Sequence, residues 1–133
     1  MPMRSIHLTA AEIKAAGPIL KELVPAPGAG KTLIPLALAW RLNFLTLAFA
    51  AGSALDVNMG PAANANKWAT VIAAAEVNDA ESSIGVAEMP VAAVEDIVAN
   101  MENQALNLCL AGAQFTTGLG SLDIDILYGI SGL

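Results

Sequence analysis

Charged side chains are scarce in this sequence: they make up 14% of its 133 residues, where an ordinary soluble domain carries about 25%. So few cannot cover a monomer's surface, and some apolar surface is expected to face a partner. Six residues are basic, no two of them adjoin, and twelve acids bring the net charge to −6. A phosphate backbone would be repelled, which excludes a nucleic-acid binder. The single cysteine, Cys109, excludes an intrachain disulfide and a multi-cysteine metal site, and makes an intracellular assembly environment the expectation. Aromatic residues are 5% of the chain. Trp40, Phe44, Phe49, Trp68, Phe115 and Tyr128 lack the interleaved basic residues of a base-stacking platform, so packing or an interface is their expected use.

What the sequence has in quantity is apolar residues, 56% of the total. About a fifth of the chain is the small residue Ala, so this percentage overstates the core volume. The length suits one domain, 1–133, that buries roughly two thirds of its unfolded surface. Residues 1–8 contain no apolar run of the length a secretory signal needs and are expected to remain in the mature protein. The longest apolar stretch, 33–55, is long enough to span a bilayer but holds Pro35, Arg41, Asn43 and Gly52. Arg41 near its centre would cost roughly 2.5–3.5 kcal/mol. A small membrane protein is therefore a minor alternative, and no membrane partner is expected.

Short periods of two dominate the rest. Ile6 and Leu8 alternate with polar neighbours, and Thr9 with Glu12 has capping-box spacing for a short helix that Gly17 and Pro18 end. Residues 19–24 read as a strand. In 32–47, Leu38, Trp40, Leu42 and Phe44 fall on one face and Arg41 and Asn43 on the other. That favours a strand pair over a helix, with Pro35 at an edge or a bulge. Residues 55–59, 106–110 and 121–130 alternate as well, Leu127 being the one lapse. Turns are expected at 60–66 and 78–83. From Pro90, the residues Val91, Val94, Val98 and Met101 recur at helical spacing. Seven or eight short strands with little helix predict an all-β fold, a β-sandwich of jelly-roll-like form with one or two short helices. Residues 1–18 would form an N-terminal arm with a short helix, and 19–133 the sandwich.

No candidate chemistry is strong. Gly30-Lys31-Thr32 ends like a phosphate loop, yet Pro25 stands where its first glycine belongs and Pro35 blocks the helix that should follow. The segment 25–32 is expected to be a rigid turn with Lys31 solvated. Asp123 and Asp125 share a strand face, as two glycosidase carboxylates could, but two acids on the wet side of a strand explain the pattern equally well. Glu76, Asp79 and Glu81, and Glu95, Asp96 and Glu102, lack calcium-loop spacing. His7 and Cys109 could meet as base and nucleophile, although no orienting third residue can be named. No catalytic residue, cofactor or metal site is expected.

Leu23-Val24-Pro25-Ala26-Pro27-Gly28-Ala29-Gly30-Lys31, followed by Leu33-Ile34-Pro35-Leu36, resembles the opening of a family of small virion structural proteins of tailed bacteriophages. The segment from Ile6 to Lys14 is similar to that family's entry segment. Glu102-Asn103-Gln104-Ala105-Leu106-Asn107-Leu108 and the stretch from Gly118 to Tyr128 are similar to its ending. The likeness covers both ends of the chain and leaves 45–98 without motif support. It implies a capsid cement or decoration protein that binds the exterior of the head as an oligomer, a trimer, and stabilises it. The implied partners are the major capsid protein and further copies of the chain. The implied location is the virion, with the host cytoplasm during assembly. Another virion role, as a head-fibre base, tail or connector component, is the alternative. Contact candidates are the N-terminal arm, with Pro2, Met3, Arg4 and Ile6, together with Leu33, Ile34, Leu36, Val91 and Val94.

Overall fold

The structure is a computed structural model that describes residues 2–15, 19–60, 67–89 and 101–132. In chain order its elements are β1 (Met3–Leu8), α1 (Ala10–Ile13), β2 (Ile19–Val24), β3 (Thr32–Asn43), β4 (Ala50–Ala51), β5 (Leu55–Met59), β6 (Lys67–Ile72), α2 (Ala74–Val77), β7 (Ser83–Glu88), β8 (Leu106–Leu110), β9 (Phe115–Thr116) and β10 (Ser121–Ser131). The fold is all-β. Eight strands form two four-stranded sheets, ordered β1-β10-β3-β7 and β2-β8-β5-β6, and β4 pairs with β9 as a short ribbon. All these pairings are antiparallel.

The pairing is nested. Among the eight longer strands the first pairs with the last (β1 with β10), the second with the seventh (β2 with β8), the third with the sixth (β3 with β7) and the fourth with the fifth (β5 with β6). The chain is thus one long antiparallel hairpin, rolled so that β10 also meets β3 and β8 also meets β5. The two sheets share one core. Ile6, Leu8, Leu38, Trp40, Leu42, Leu122, Ile124 and Ile126 come from the first sheet, and Leu55, Val57, Met59, Leu106, Leu108 and Leu110 from the second. Burying each such side chain stabilises the fold by about 1.5–3 kcal/mol before entropy is counted.

The period-two pattern produces this directly: in the first sheet the even-numbered residues of β10, Leu122, Ile124 and Ile126, are buried and Asp123 and Asp125 are exposed. The lapse at Leu127 coincides with a β-bulge, where the register against β3 shifts between Leu127 and Tyr128 and Tyr128 comes to face Pro35. Proline fits there because the bulge interrupts the ladder between β3 and β10 at this point. The capping box forms as its spacing predicts, with the Glu12 amide donating to Thr9 Oγ1 and the Thr9 amide to Glu12 Oε1.

Three expectations need correcting. Residues 32–43 are one twelve-residue strand, because the bulge absorbs Leu36, where the buried positions change from odd to even numbers, and the pairing with β10 runs on past it. The N-terminal segment is no separate arm: Met3–Leu8 is an edge strand of the first sheet, with the Tyr128 amide donating to the Pro2 carbonyl beyond it. Strand β7 falls in a stretch with no expected element. The helix expected from Pro90 lies outside the described residues apart from Met101, which packs against the core.

Candidate functional site

Two of the four chain segments that join strands at one end of the sandwich, β3 to β5 and β8 to β10, build a tip without charge, flanked by the segment of Glu12 and Lys14 and by that of Glu76, Asp79 and Glu81. Residues 42–55 and 103–122 contain no Asp, Glu, Lys or Arg. Within them Leu45, Leu47 and Leu119 are 57%, 48% and 51% exposed, and the Leu119 amide donates to the Leu47 carbonyl at 3.1 Å, which brings two of the three side by side. Three non-glycine residues of the tip, Thr46, Ala51 and Thr117, have positive φ. Such strain persists only where the surroundings over-determine the backbone, and here they do. Asn78 Nδ2 donates to the Ala51 carbonyl, Thr117 Oγ1 to Ala48 and Ser53 Oγ to Ala113, while the Gly112 amide donates to Ser53 Oγ.

Beneath the exposed leucines, Phe49 and Phe115 meet edge to face with centroids 6.5 Å apart, a geometry that adds about 0.5–1.5 kcal/mol beyond area burial. Gly118 lies so close to the Phe49 ring, and Gly52 to the Phe115 ring, that a Cβ at either would overlap it. Lys14 marks the rim, donating to the Gly118 carbonyl at 3.0 Å. The tip is therefore a rigid apolar surface on a highly acidic chain.

The outer face of the first sheet carries the sequence's polar candidates. Across β1, β10, β3 and β7 the register aligns His7, Asp123, Arg41 and Ile84 in one row, and Ser5, Asp125, Ala39 and Val86 in the next. His7 Nδ1 lies 2.6 Å from Asp123 Oδ1, Asn43 Nδ2 donates to Asp123 Oδ2 at 2.8 Å, and Ser5 Oγ donates to Asp125 Oδ1 at 2.5 Å. The hydrogen bond from His7, then that from Asn43, holds the Asp123 carboxyl below the usual carboxylate range. Each acid is thus engaged by a neighbouring strand, in an open groove of about 220 Å³ lined by Ala39, Trp40, Arg41, Ile84, Asp123 and Asp125. The two carboxylates act as cross-strand ties and do not converge in an enclosed cleft.

The segment 25–32 forms the rigid turn expected. Gly28 and Gly30 take φ of 111° and 75°, and the Lys31 amide donates to the Gly28 carbonyl at 3.2 Å. Asn103 clamps it from across the fold: its side-chain oxygen accepts from the Gly28 amide at 2.8 Å and its own amide donates to the Lys31 carbonyl at 2.7 Å. Lys31 is exposed.

His7 and Cys109 are not brought together. His7 is exposed on the first sheet, whereas Cys109 is fully buried on β8 of the second, opposite Asp56. Burial, with the nearby Asp56 charge, pushes the thiol up to about 11; the Asp56 carboxylate accepts from Thr70 Oγ1 at 2.8 Å.

Of the contact candidates, Pro2, Met3 and Arg4 are exposed on or beside β1. Ile34 and Leu36 are half-buried on β3. Ile6 and Leu33 point into the core, 8% and 1% exposed, and offer a partner no side-chain surface. Val91 and Val94 lie outside the described residues. Sequence reasoning missed the leucine tip and the two most exposed large apolar residues among those described, Ile84 at 72% and Val86 at 73%. A charge count per loop would have found the tip. No helix among the described residues is long and apolar enough to cross a membrane, and 33–55 forms β3, a loop and the short β4. No protein-family model matches the chain, and no curated protein matches it significantly.

Proposed function

We propose that the chain is a capsid cement or decoration subunit of a tailed phage, a jelly roll that binds the outside of the head lattice as a trimer and stabilises the shell. Its role is structural and not catalytic. Its partners are the major capsid protein and other copies of itself, on the virion exterior and, during assembly, in the host cytoplasm. The nested pairing of eight strands in two sheets supports the jelly-roll form. The observation that carries the functional reading is the tip, where Leu45, Leu47 and Leu119 stand exposed on rigid, uncharged loops of a chain with net charge −6.

Two further relationships support the reading. The segments that resemble phage virion proteins meet in pairs, Gly28 with Asn103 and β1 with β10. A lattice also repeats one docking surface many times, so a small apolar contact per site gains from multivalency when the subunit is an oligomer. Binding to the assembled shell and not to free capsid subunits then stabilises the shell by mass action.

The test is cosedimentation of the purified protein with heads assembled without it. The wild type is expected to pellet with the heads, and the L45D/L119D variant, folded by circular dichroism, to stay in the supernatant. A wild-type protein that is monomeric and remains in the supernatant overturns the proposal.

A further inference from the structure

Strand β7 is the edge of the first sheet, hydrogen-bonded to β3 on one side only among the described residues. Edge strands are commonly blunted by an inward charge, a proline, a lysine or a bulge. β7 has none of these: its sequence is Ser-Ile-Gly-Val-Ala-Glu, its pairing with β3 runs without a register shift, and its one charge is terminal. Its outward residues Ile84 and Val86 are β-branched, and its inward ones, Ser83, Gly85 and Ala87, are small. Gly85 is held small by Trp40, whose indole fills the space a Cβ would need.

We propose that β7 pairs antiparallel with β7 of a second copy about a twofold axis at Gly85, joining two first sheets into one of eight strands. An axis perpendicular to the sheet keeps outward faces together, so paired residue numbers share parity. Centring at Gly85 sets Ile84 opposite Val86 of the partner copy, and Val86 opposite its Ile84. Moving the axis to Val86 would place Ile84 against Glu88; moving it to Ile84 would leave Val86 against Ser82.

Charge selects the same occupant. Residues 82–87 carry none, so two copies of net charge −6 can approach there, and the Gly85 register sets Glu88 against Ser82 and not against another acid. Ile–Val cross-strand pairs and new backbone hydrogen bonds carry the contact, the mode by which a free edge adds a strand. Within the decoration reading this contact links subunits of neighbouring trimers, but it is measurable without heads.

Sedimentation equilibrium of the intact protein tests it. Val86→Lys is expected to weaken twofold association at least about tenfold with unchanged circular dichroism, and Ile84→Lys to do the same. Mixing I84C and V86C proteins under mild oxidation is expected to give a mixed disulfide dimer that neither forms alone. An association unaffected by both lysine variants, or self-crosslinking of each cysteine variant at equal yield, overturns the β7 contact and leaves the decoration reading standing. Lost head binding with β7 dimers intact would count against the decoration reading alone.

Discussion

Asn103 and Gly28, seventy-five residues apart, are joined by a 2.8 Å hydrogen bond from the glycine amide to the asparagine side-chain oxygen. Asn103 itself sits at φ 52°, a left-handed conformation that asparagine tolerates better than most residues. It serves the turn twice, through its side chain and through its backbone amide to Lys31. Asn103→Ala removes one hydrogen bond and adds backbone strain, and is expected to cost about 1–2.5 kcal/mol in urea unfolding. Asn103→Gly removes the same bond but suits the positive φ, so it should cost less. Equal losses would show that the conformation contributes nothing.

Gly28 and Gly30 have open space where a Cβ would stand, so conformation alone requires them. Valine at either position is expected to lower stability by roughly 1–3 kcal/mol, a penalty of left-handed backbone and not of clash. Lys31→Ala should leave the thermal midpoint unchanged and remove no nucleotide affinity in calorimetry. ATP binding that depends on Lys31 would contradict the turn reading.

Gly118 tests the rigidity of the tip. Gly118→Ala combines positive φ with overlap on the Phe49 ring, and is expected to destabilise by about 2–4 kcal/mol, as overpacking and strain together do. The effect should appear as a drop in thermal midpoint by calorimetry.

The tie between His7 and Asp123 sets a pH dependence. The Asp123 carboxyl lies below its ordinary value in the folded protein, so the stability it confers is fully present above its unfolded value and is lost as pH falls through the folded one. Because both side chains are about half exposed, solvent screening limits the contribution to no more than roughly 1 kcal/mol. Asp123→Asn should therefore lower stability modestly at pH 7, with the gap to wild type closing in acid. A gap that widens below pH 4 would reverse the sign.

Cys109 is buried and its thiol is pushed up to about 11. The thiolate is the reactive form, so a thiol reagent at pH 8 is expected to label one cysteine in denaturant and none in the native protein over the same minutes.

Much of this architecture is legible in the sequence because alternation along a strand maps directly onto sheet faces. Even the bulge announces itself through Leu127. β7 was hidden for the same physical reason: Ile84 and Val86 alternate with glycine and alanine on an edge, so its apolar residues face outward where a core pattern would put them inward. The tip was hidden because its three leucines are scattered over two loops and only the nested pairing makes them neighbours. The Asn103 clamp depends on a conformation that no local pattern records. Ile6 and Leu33 were misjudged as contacts because an apolar residue near a chain end reads alike whether it faces a partner or the core.

The most direct measurement of the central claim is electron cryomicroscopy of heads with and without the bound protein. The account predicts added density outside the shell at every equivalent lattice position, fitted by a trimer of this sandwich with the tip holding Leu45, Leu47 and Leu119 against the capsid. Density confined to one vertex or to the tail, or no added density, would contradict it.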